Sequence, residues 1–297
     1  MRNVYTAFGL GIESGIHLPG FLLGAHETDV TVSRGPVPES LEGGTQVELF
    51  GWAAKGSYLM SMPGHARFLV MEDTITVEEV SGGDGELVSQ LVERACLGVL
   101  LQLRGYLVLQ GSAVELGGKG VAIVSEPSMG ASTLAYALVR EGARLLSDGL
   151  VAVKLGGNGT PELYPASSSL QLWSDMISAF GEEPDSFRRV RSGLERRIVP
   201  LSTEKLATGK VPLGTLVFQG KHPQEGMHLR ECTGMKKIKS LLKCTHKRKL
   251  EHFLGTAHTH FGMAMITLQK TRASVVLFPS GSPFCAPELA RIVLEEL

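Results

Sequence analysis

Val121-Ala-Ile-Val-Ser-Glu-Pro-Ser-Met-Gly-Ala-Ser-Thr-Leu-Ala135 is the stretch that decides the fold. Its first residues are apolar and suit a buried strand, a turn of small residues follows, and the chain leaves that turn directly in a helical pattern. Strand, tight loop and helix N-terminus form the outline of a phosphate-binding loop, in which backbone N–H groups wrap an anion. A complete loop of that kind reads Gly, four residues, Gly-Lys-Ser/Thr; the lysine reaches the outer phosphates and the hydroxyl holds Mg²⁺. Here Gly130, Ser132 and Thr133 are in register, while Ser125 takes the place of the first glycine and Ala131 that of the lysine. Ser128 and Met129 fill the turn ahead of Gly130. The shape of the loop is kept better than its chemistry. Ser132 and Thr133, at the helix start, are also expected to serve as N-terminal caps.

Working outward, the segments Leu107–Leu109 and Ser112–Leu116 and the turn Gly117-Gly-Lys-Gly120 precede the loop, and its helix is expected to stop at Gly142. Ala143-Arg-Leu-Leu-Ser-Asp148 is an apolar run ending in an acid. A carboxylate at the end of a strand beside a phosphate loop is where Mg²⁺ is held, so Asp148 and Ser132 are the candidate metal ligands. Lys119, Arg140, Arg144 and Lys154 are the cations near enough in sequence to replace the missing lysine. Further on, the pattern predicts a helix over Ser168–Phe180, a basic segment through Arg188–Arg191 and Glu195–Leu201, and a strand at Thr215–Phe218. Helical patterns follow over Met235–Cys244 and Lys249–Gln269, then a strand at Ala273–Phe278 and a short helix after Pro287. Alternating strands and helices mean an α/β core with helices on the sheet.

Residues 1 to about 80 differ. Short segments such as Val30–Val32, Gln46–Phe50, Ala66–Val70 and Thr74–Val80 alternate apolar with polar and are rich in β-branched and aromatic residues, which predicts a small β-rich module. Phe68–Val70 and Ile75–Val77, joined by Met71-Glu-Asp-Thr74, read as a hairpin. The glycine-rich break Ser81-Gly-Gly-Asp-Gly85 sets the expected domains at 1–82 and 83–297. One amphipathic helix is expected over Glu86–Leu103, stopped by Gly105.

The 297 residues carry 29 Lys plus Arg against 30 Asp plus Glu, so no global field draws the chain onto nucleic acid or an anionic membrane. No stretch of 18 apolar residues occurs and the N-terminus lacks a signal peptide's apolar run, so a cytoplasmic location is expected. Cys96, Cys232, Cys244 and Cys285 are scattered, without a C-x-x-C pair, and are expected as free thiols, with Cys96 in a helix core. His252, His258 and His260 lack ligand spacing and are expected as surface or packing residues. Lys236, Lys237, Lys239, Lys243 and His246-Lys-Arg-Lys249 form a basic patch, either a solvated helix face or a docking surface for an acidic partner.

Taken together, Tyr5–Leu10, Val30–Pro38, Gln110-Gly-Ser-Ala-Val-Glu115, the loop, Arg144–Asp148 and Val211–Val217 resemble bacterial HPr kinase/phosphorylase-related proteins along nearly the whole chain. The resemblance implies an α/β, P-loop-containing HPr kinase/phosphoenolpyruvate carboxykinase-like core. For active members it implies Mg²⁺-ATP-dependent phosphorylation of a serine on a small protein or peptide, including precursors of ribosomal peptides. Active members read His-Ala-Ser-Ala-Val where this chain has Gln110-Gly-Ser-Ala-Val114. They carry Gly-Lys-Ser/Thr where it has Gly130-Ala-Ser132, and Asp-Asp where it has Asp148-Gly149. Each departure removes a proton shuttle, a neutralising charge or an acid, and losing one preorganised electrostatic contact costs on the order of 100-fold to 1000-fold in rate.

The resemblance therefore points to a catalytically impaired member that binds a nucleotide, or a peptide or protein partner. An active ATP-dependent serine kinase, with Asp148 as base or metal ligand at a site where Gln110 is degenerate, is the alternative. A scaffold subunit in peptide maturation or signalling is another. Ser125, Ser128, Met129, Gly130, Ala131, Ser132 and Thr133 are the expected cofactor contacts, Arg196 and Arg197 the expected phosphate contacts, and ATP with Mg²⁺ the expected cofactors if the loop functions. A small, possibly acidic, protein or peptide is the expected partner, and a homo-oligomer is left open.

Overall fold

The computed structural model describes residues 3–24, 27–222, 226–279 and 284–296. The chain packs as two compact units, Met1–Val108 with His246–Met263 and Leu109–Thr245 with Ala264–Leu297. The glycine-rich break at Ser81–Gly85, where 1–82 was expected to end and 83–297 to begin, lies inside the first unit.

The first unit is built on nine strands: β1 (Asn3–Ala7), β2 (Leu10–Ser14), β3 (Leu22–Leu23), β4 (Val30–Arg34), β5 (Thr45–Glu48), β6 (Gly51–Ala54), β7 (Ser57–Met62), β8 (Ala66–Val70) and β9 (Thr74–Glu79). They form one sheet in the order β3-β1-β2-β4-β9-β8-β7-β6-β5. Period-two alternation does what it predicts: Ala66, Phe68 and Val70 on β8 and Ile75 and Val77 on β9 are buried while their neighbours are not. Val70 pairs with Ile75 across the expected hairpin turn. The helix expected from Glu86 forms as α1 (Gly85–Gln90), a π-helical segment Leu91–Cys96 and α2 (Leu97–Leu103). Asp84 Oδ1 caps it, accepting from Glu86 N at 2.9 Å and Leu87 N at 3.1 Å. Val92, Cys96, Leu97, Leu100 and Leu101 are buried along its inner face.

The second unit takes up most of β10 (Leu107–Leu116) and then β11 (Lys119–Val124), α3 (Ala131–Arg140), β12 (Arg144–Leu155), β13 (Pro161–Leu163), β14 (Ser169–Trp173), α4 (Ser174–Ala179), β15 (Arg196–Pro200), β16 (Val211–His222), β17 (His228–Glu231) and α5 (Gly234–Cys244). Next come α6 (Glu251–Leu254), which belongs to the first unit, and α7 (Ala257–Lys270), which runs past Met263 into the second. β18 (Arg272–Pro279) and α8 (Ala286–Glu296) complete the chain. β11 pairs antiparallel with β10 and parallel with β16. Because β10 also neighbours β12, and β13 links β12 to β16, the strands β11-β10-β12-β13-β16 close into a ring, with β18 and β17 added on β16. The unit is thus mixed α/β, with α3 and α8 packed beside one another. Around them Phe180 stands edge-on to Tyr136 at 4.9 Å and to Phe284 at 4.6 Å.

Two predicted elements take another form. Ser168–Phe180 is not one helix: Leu170 and Leu172 are buried two apart on β14, which pairs with β15, and only Ser174 onward is helical. Two apolar residues at strand spacing outweighed the helical count. The helical pattern over Lys249–Gln269 is interrupted at Gly255, whose φ of 80° ends α6. No helix among the described residues is long and apolar enough to cross a membrane.

Candidate functional site

β11 delivers the loop and α3 carries its far side. Val121 to Val124 are buried, and the ladder to β10 ends where Ser125 N donates to Gln110 O at 3.2 Å. Gln110 therefore touches the loop by its backbone. Gly111 beside it has φ 151°, and a Cβ there would sit 2.0 Å from Ile123 O, so this strand crossing admits only glycine. Ser128 takes φ 65°, unusual for a residue with a Cβ, and Gly130 takes φ 94° as the residue before α3. The first helical bond is Leu134 N to Gly130 O at 2.9 Å, which leaves the N–H groups of Ala131, Ser132 and Thr133 ahead of the ladder. Among the described residues no side-chain bond is made from the N-cap position of the helix. The expectation that Ser132 and Thr133 would cap it is corrected: they lie within the first turn, and Gly130 occupies the capping position with no side chain to offer.

Glu126, exposed in the loop, pairs with Lys243 of α5 at 2.6 Å. The hydrogen bond to Glu126 raises the Lys243 pKa. The cations proposed as substitutes for the missing lysine stand elsewhere. Arg140 is on the last turn of α3, about 15 Å from its start at 1.5 Å per residue. It lies over Phe180 and pairs with Glu182. Arg144 is held at 2.5 Å by Glu115, Lys119 begins β11 at the end away from the loop, and Lys154 faces Glu162 across the β12–β13 ladder.

Asp148 sits within β12, 9% exposed. Ser112 Oγ donates to its Oδ1 at 2.7 Å, Gln171 N donates to its Oδ2 at 3.1 Å, and its own N–H donates to Ser167 Oγ at 2.9 Å. Gly149 has φ 85°, so a second acid at that position would be strained. Gln171 extends the network, because its carbonyl accepts from Arg196 Nε at 3.4 Å and Nη2 at 3.3 Å, with the guanidinium 6.0 Å from the Trp173 ring centroid. Arg196 is thereby tied to Asp148 through the backbone of one residue, Gln171. Arg197, only 5% exposed, donates to Asp185 Oδ1 at 2.6 Å, Ser174 Oγ and Phe187 O, and so ties its own segment together.

Among solved structures, the chain is similar to the HPr(Ser) kinase/phosphatase from Coxiella burnetii, at 13% identity over 64% of this chain and 88% of that one, with a TM-score of 0.34. That likeness is distant. No protein-family profile and no curated protein matches the chain.

The structure therefore joins Gln110, Ser125 and the loop to Thr133 in one backbone feature, and Asp148 with Arg196 in one polar network. Sequence reasoning missed Ser112, Ser167 and Gln171 as partners of Asp148, and the Glu126–Lys243 pair. Ser112 stood inside a quoted motif and signalled itself only as a small polar residue in an apolar strand; the others carry no local signal. Among the described residues no group of three or more His, Cys, Asp or Glu is placed to hold a metal. His260, expected as a surface or packing residue, is buried with Nε2 3.1 Å from Gln102 O and Nδ1 3.2 Å from Glu251.

Proposed function

We propose that the second unit is an HPr-kinase-like phosphate-loop module that binds a phosphate-bearing small molecule, with a nucleotide as the favoured class, and does not transfer the phosphoryl group. The observation that carries this reading is the uncapped start of α3 behind the left-handed Gly130. The N–H groups of Ala131, Ser132 and Thr133 precede the first helical bond there, at the positive end of the helix dipole, and an anion would satisfy both.

The surrounding groups support binding over transfer. Phosphoryl transfer depends on charge neutralisation around the moving group. The loop carries Ala131 in place of the lysine, and its own charged residue is the carboxylate of Glu126. The donor set suits Mg²⁺ poorly, because both oxygens of Asp148 already accept hydrogen bonds from Ser112 and Gln171 and the neighbouring position is a glycine. No step is therefore assigned to a metal. Calorimetric titration with ATP, with and without Mg²⁺, is the direct test, followed by a phosphate-transfer assay. Binding that changes little with Mg²⁺, together with no transfer, is the expected result. No heat at millimolar ATP would sink the proposal. Ala131→Lys adds a contact to the outer phosphates and is expected to tighten ATP about 10-fold, the scale of one charge-assisted hydrogen bond.

A further inference from the structure

α5 presents a cationic face of which the loop engages only the last position, through Glu126 on Lys243. Its sequence over Gly234–Cys244 holds Lys236, Lys237, Lys239 and Lys243 and no acid. Lys237 points inward: Nζ donates to Leu268 O at 2.5 Å and Thr271 O at 2.8 Å, binding the last turn of α7, and burial lowers its pKa. Lys236, Lys239 and Lys243 are spaced by three and four residues, share the other face and are exposed. Among the described residues Lys236 and Lys239 have no acidic partner, and Lys243 has Glu126, whose side chain is itself 50% exposed.

Three like charges on one helix face repel one another and add nothing to folding by themselves, while an acidic ligand relieves the repulsion. From Lys236 to Lys243 the helix rises about 10 Å. An extended chain covers that length in three residue steps of about 3.3 Å. A short acidic run matches the stripe, and Glu126 already shows that a carboxylate can be held at its last position.

We propose that the Lys236–Lys239–Lys243 face docks an acidic, extended segment of a partner polypeptide, and that a carboxylate of this segment replaces Glu126 on Lys243. This interaction is separate from anion binding at the start of α3 and does not require it. With formal charge −1 overall, the chain lacks the broad basic field that nucleic acid calls for, which favours an acidic peptide as the occupant.

The test is fluorescence anisotropy of the full chain with a labelled octaglutamate peptide, a Gly-Ser peptide of equal length and a single-stranded oligonucleotide of equal charge, at low and high salt. The glutamate peptide alone is expected to bind, weakening by about 10-fold or more in high salt as exposed charges are screened. Lys236→Glu with Lys239→Glu should abolish binding, Lys236→Gln with Lys239→Gln should weaken it, and Glu126→Gln should tighten it about 2-fold to 3-fold by freeing Lys243. Thermal midpoints of the glutamine pair guard against a folding artefact in the charge-reversed pair. An unchanged ATP affinity in the glutamine pair separates this surface from the loop. Absence of glutamate binding at low salt, equal or tighter oligonucleotide binding, or indifference to the lysine substitutions overturns the proposal.

Discussion

Lys243 and Lys247 stand four residues apart, and each reaches a glutamate far away in sequence, Glu126 at 2.6 Å and Glu48 at 2.5 Å. Distance alone makes them the same interaction. Solvent makes them different. The Lys243 and Glu126 side chains are 64% and 50% exposed, so both charges face water. Lys247, in the first unit, is 17% exposed against 39% for Glu48, lies 5.3 Å from the Tyr58 ring centroid and shares Glu48 with the buried Tyr58 hydroxyl, which donates at 2.5 Å, so here the cation rather than the acid is withdrawn from water. Burial pushes the Glu48 pKa up, but the bonds from Lys247 and Tyr58 outweigh it and leave it lowered. Lys247 even accepts a left-handed backbone, φ 42°, to keep this position. The lesson is that desolvation, which sets what is lost when a partner leaves, separates a pair that builds the fold from one that can be exchanged.

The largest expected effect comes from the neighbour of Lys247. His246 is buried against Gly98, where a Cβ would lie 2.5 Å from its Nε2. Burial first, and the charge of Lys247 second, push its pKa down to about 4, against partial opposition from a backbone bond to Ala95 and from Glu48. An unfolded histidine takes its proton near pH 6.5, so between pH 6.5 and about 4 the unfolded chain binds more protons and stability falls as the pH falls. The loss across that window should be on the order of 2–3 kcal/mol, because each tenfold change in proton affinity is worth about 1.36 kcal/mol. Denaturant unfolding at a series of pH values reads it, and His246→Leu should flatten the slope even if it lowers stability overall. Next in size is Lys247→Met, which strands Glu48 beside Tyr58. About 1 kcal/mol should be lost, well below the cost of a fully buried pair because the Glu48 side chain is 39% exposed. An unchanged unfolding free energy would erase the distinction between the two lysines.

Asp148 is the buried carboxylate of the second unit, 9% exposed against 39% for the Glu48 side chain. Asp148→Asn keeps the shape, and the Ser112 hydroxyl can turn to accept from the new amide while the Gln171 N–H keeps an oxygen. The expected cost is again about 1 kcal/mol, and a melting curve that drops well below that of Lys247→Met would mean Asp148 holds more of the network than these bonds. What was legible in the sequence divides along the same line. Strand, loop and helix at 121–135 were visible because each depends on neighbours in sequence: an apolar run, small residues, a glycine able to take φ 94°. The Asp148 partners were not, since Ser112 on β10, Ser167 ahead of β14 and Gln171 on β14 come from segments far apart in sequence that meet it only in the folded unit. Position 149 was readable as a missing acid. That its backbone is itself shaped for glycine, like that of Gly111, was not.

The smallest expected effect is the most discriminating. Lys243→Ala and Glu126→Gln should each leave the thermal midpoint where it is, because an exposed pair trades its attraction for hydration and for the freedom of two long side chains. The double variant should then equal the sum of the singles, with no coupling in stability. The same cycle on Lys247 and Glu48 should give a clear coupling. If Lys243 and Glu126 couple as strongly, the pair is holding the loop in place, Ser125–Gly130 is ordered by its own acid, and an incoming anion would have to break structure to enter. If they do not, Glu126 can leave Lys243 without penalty to the fold, which is the condition both the open helix start and the lysine face of α5 require.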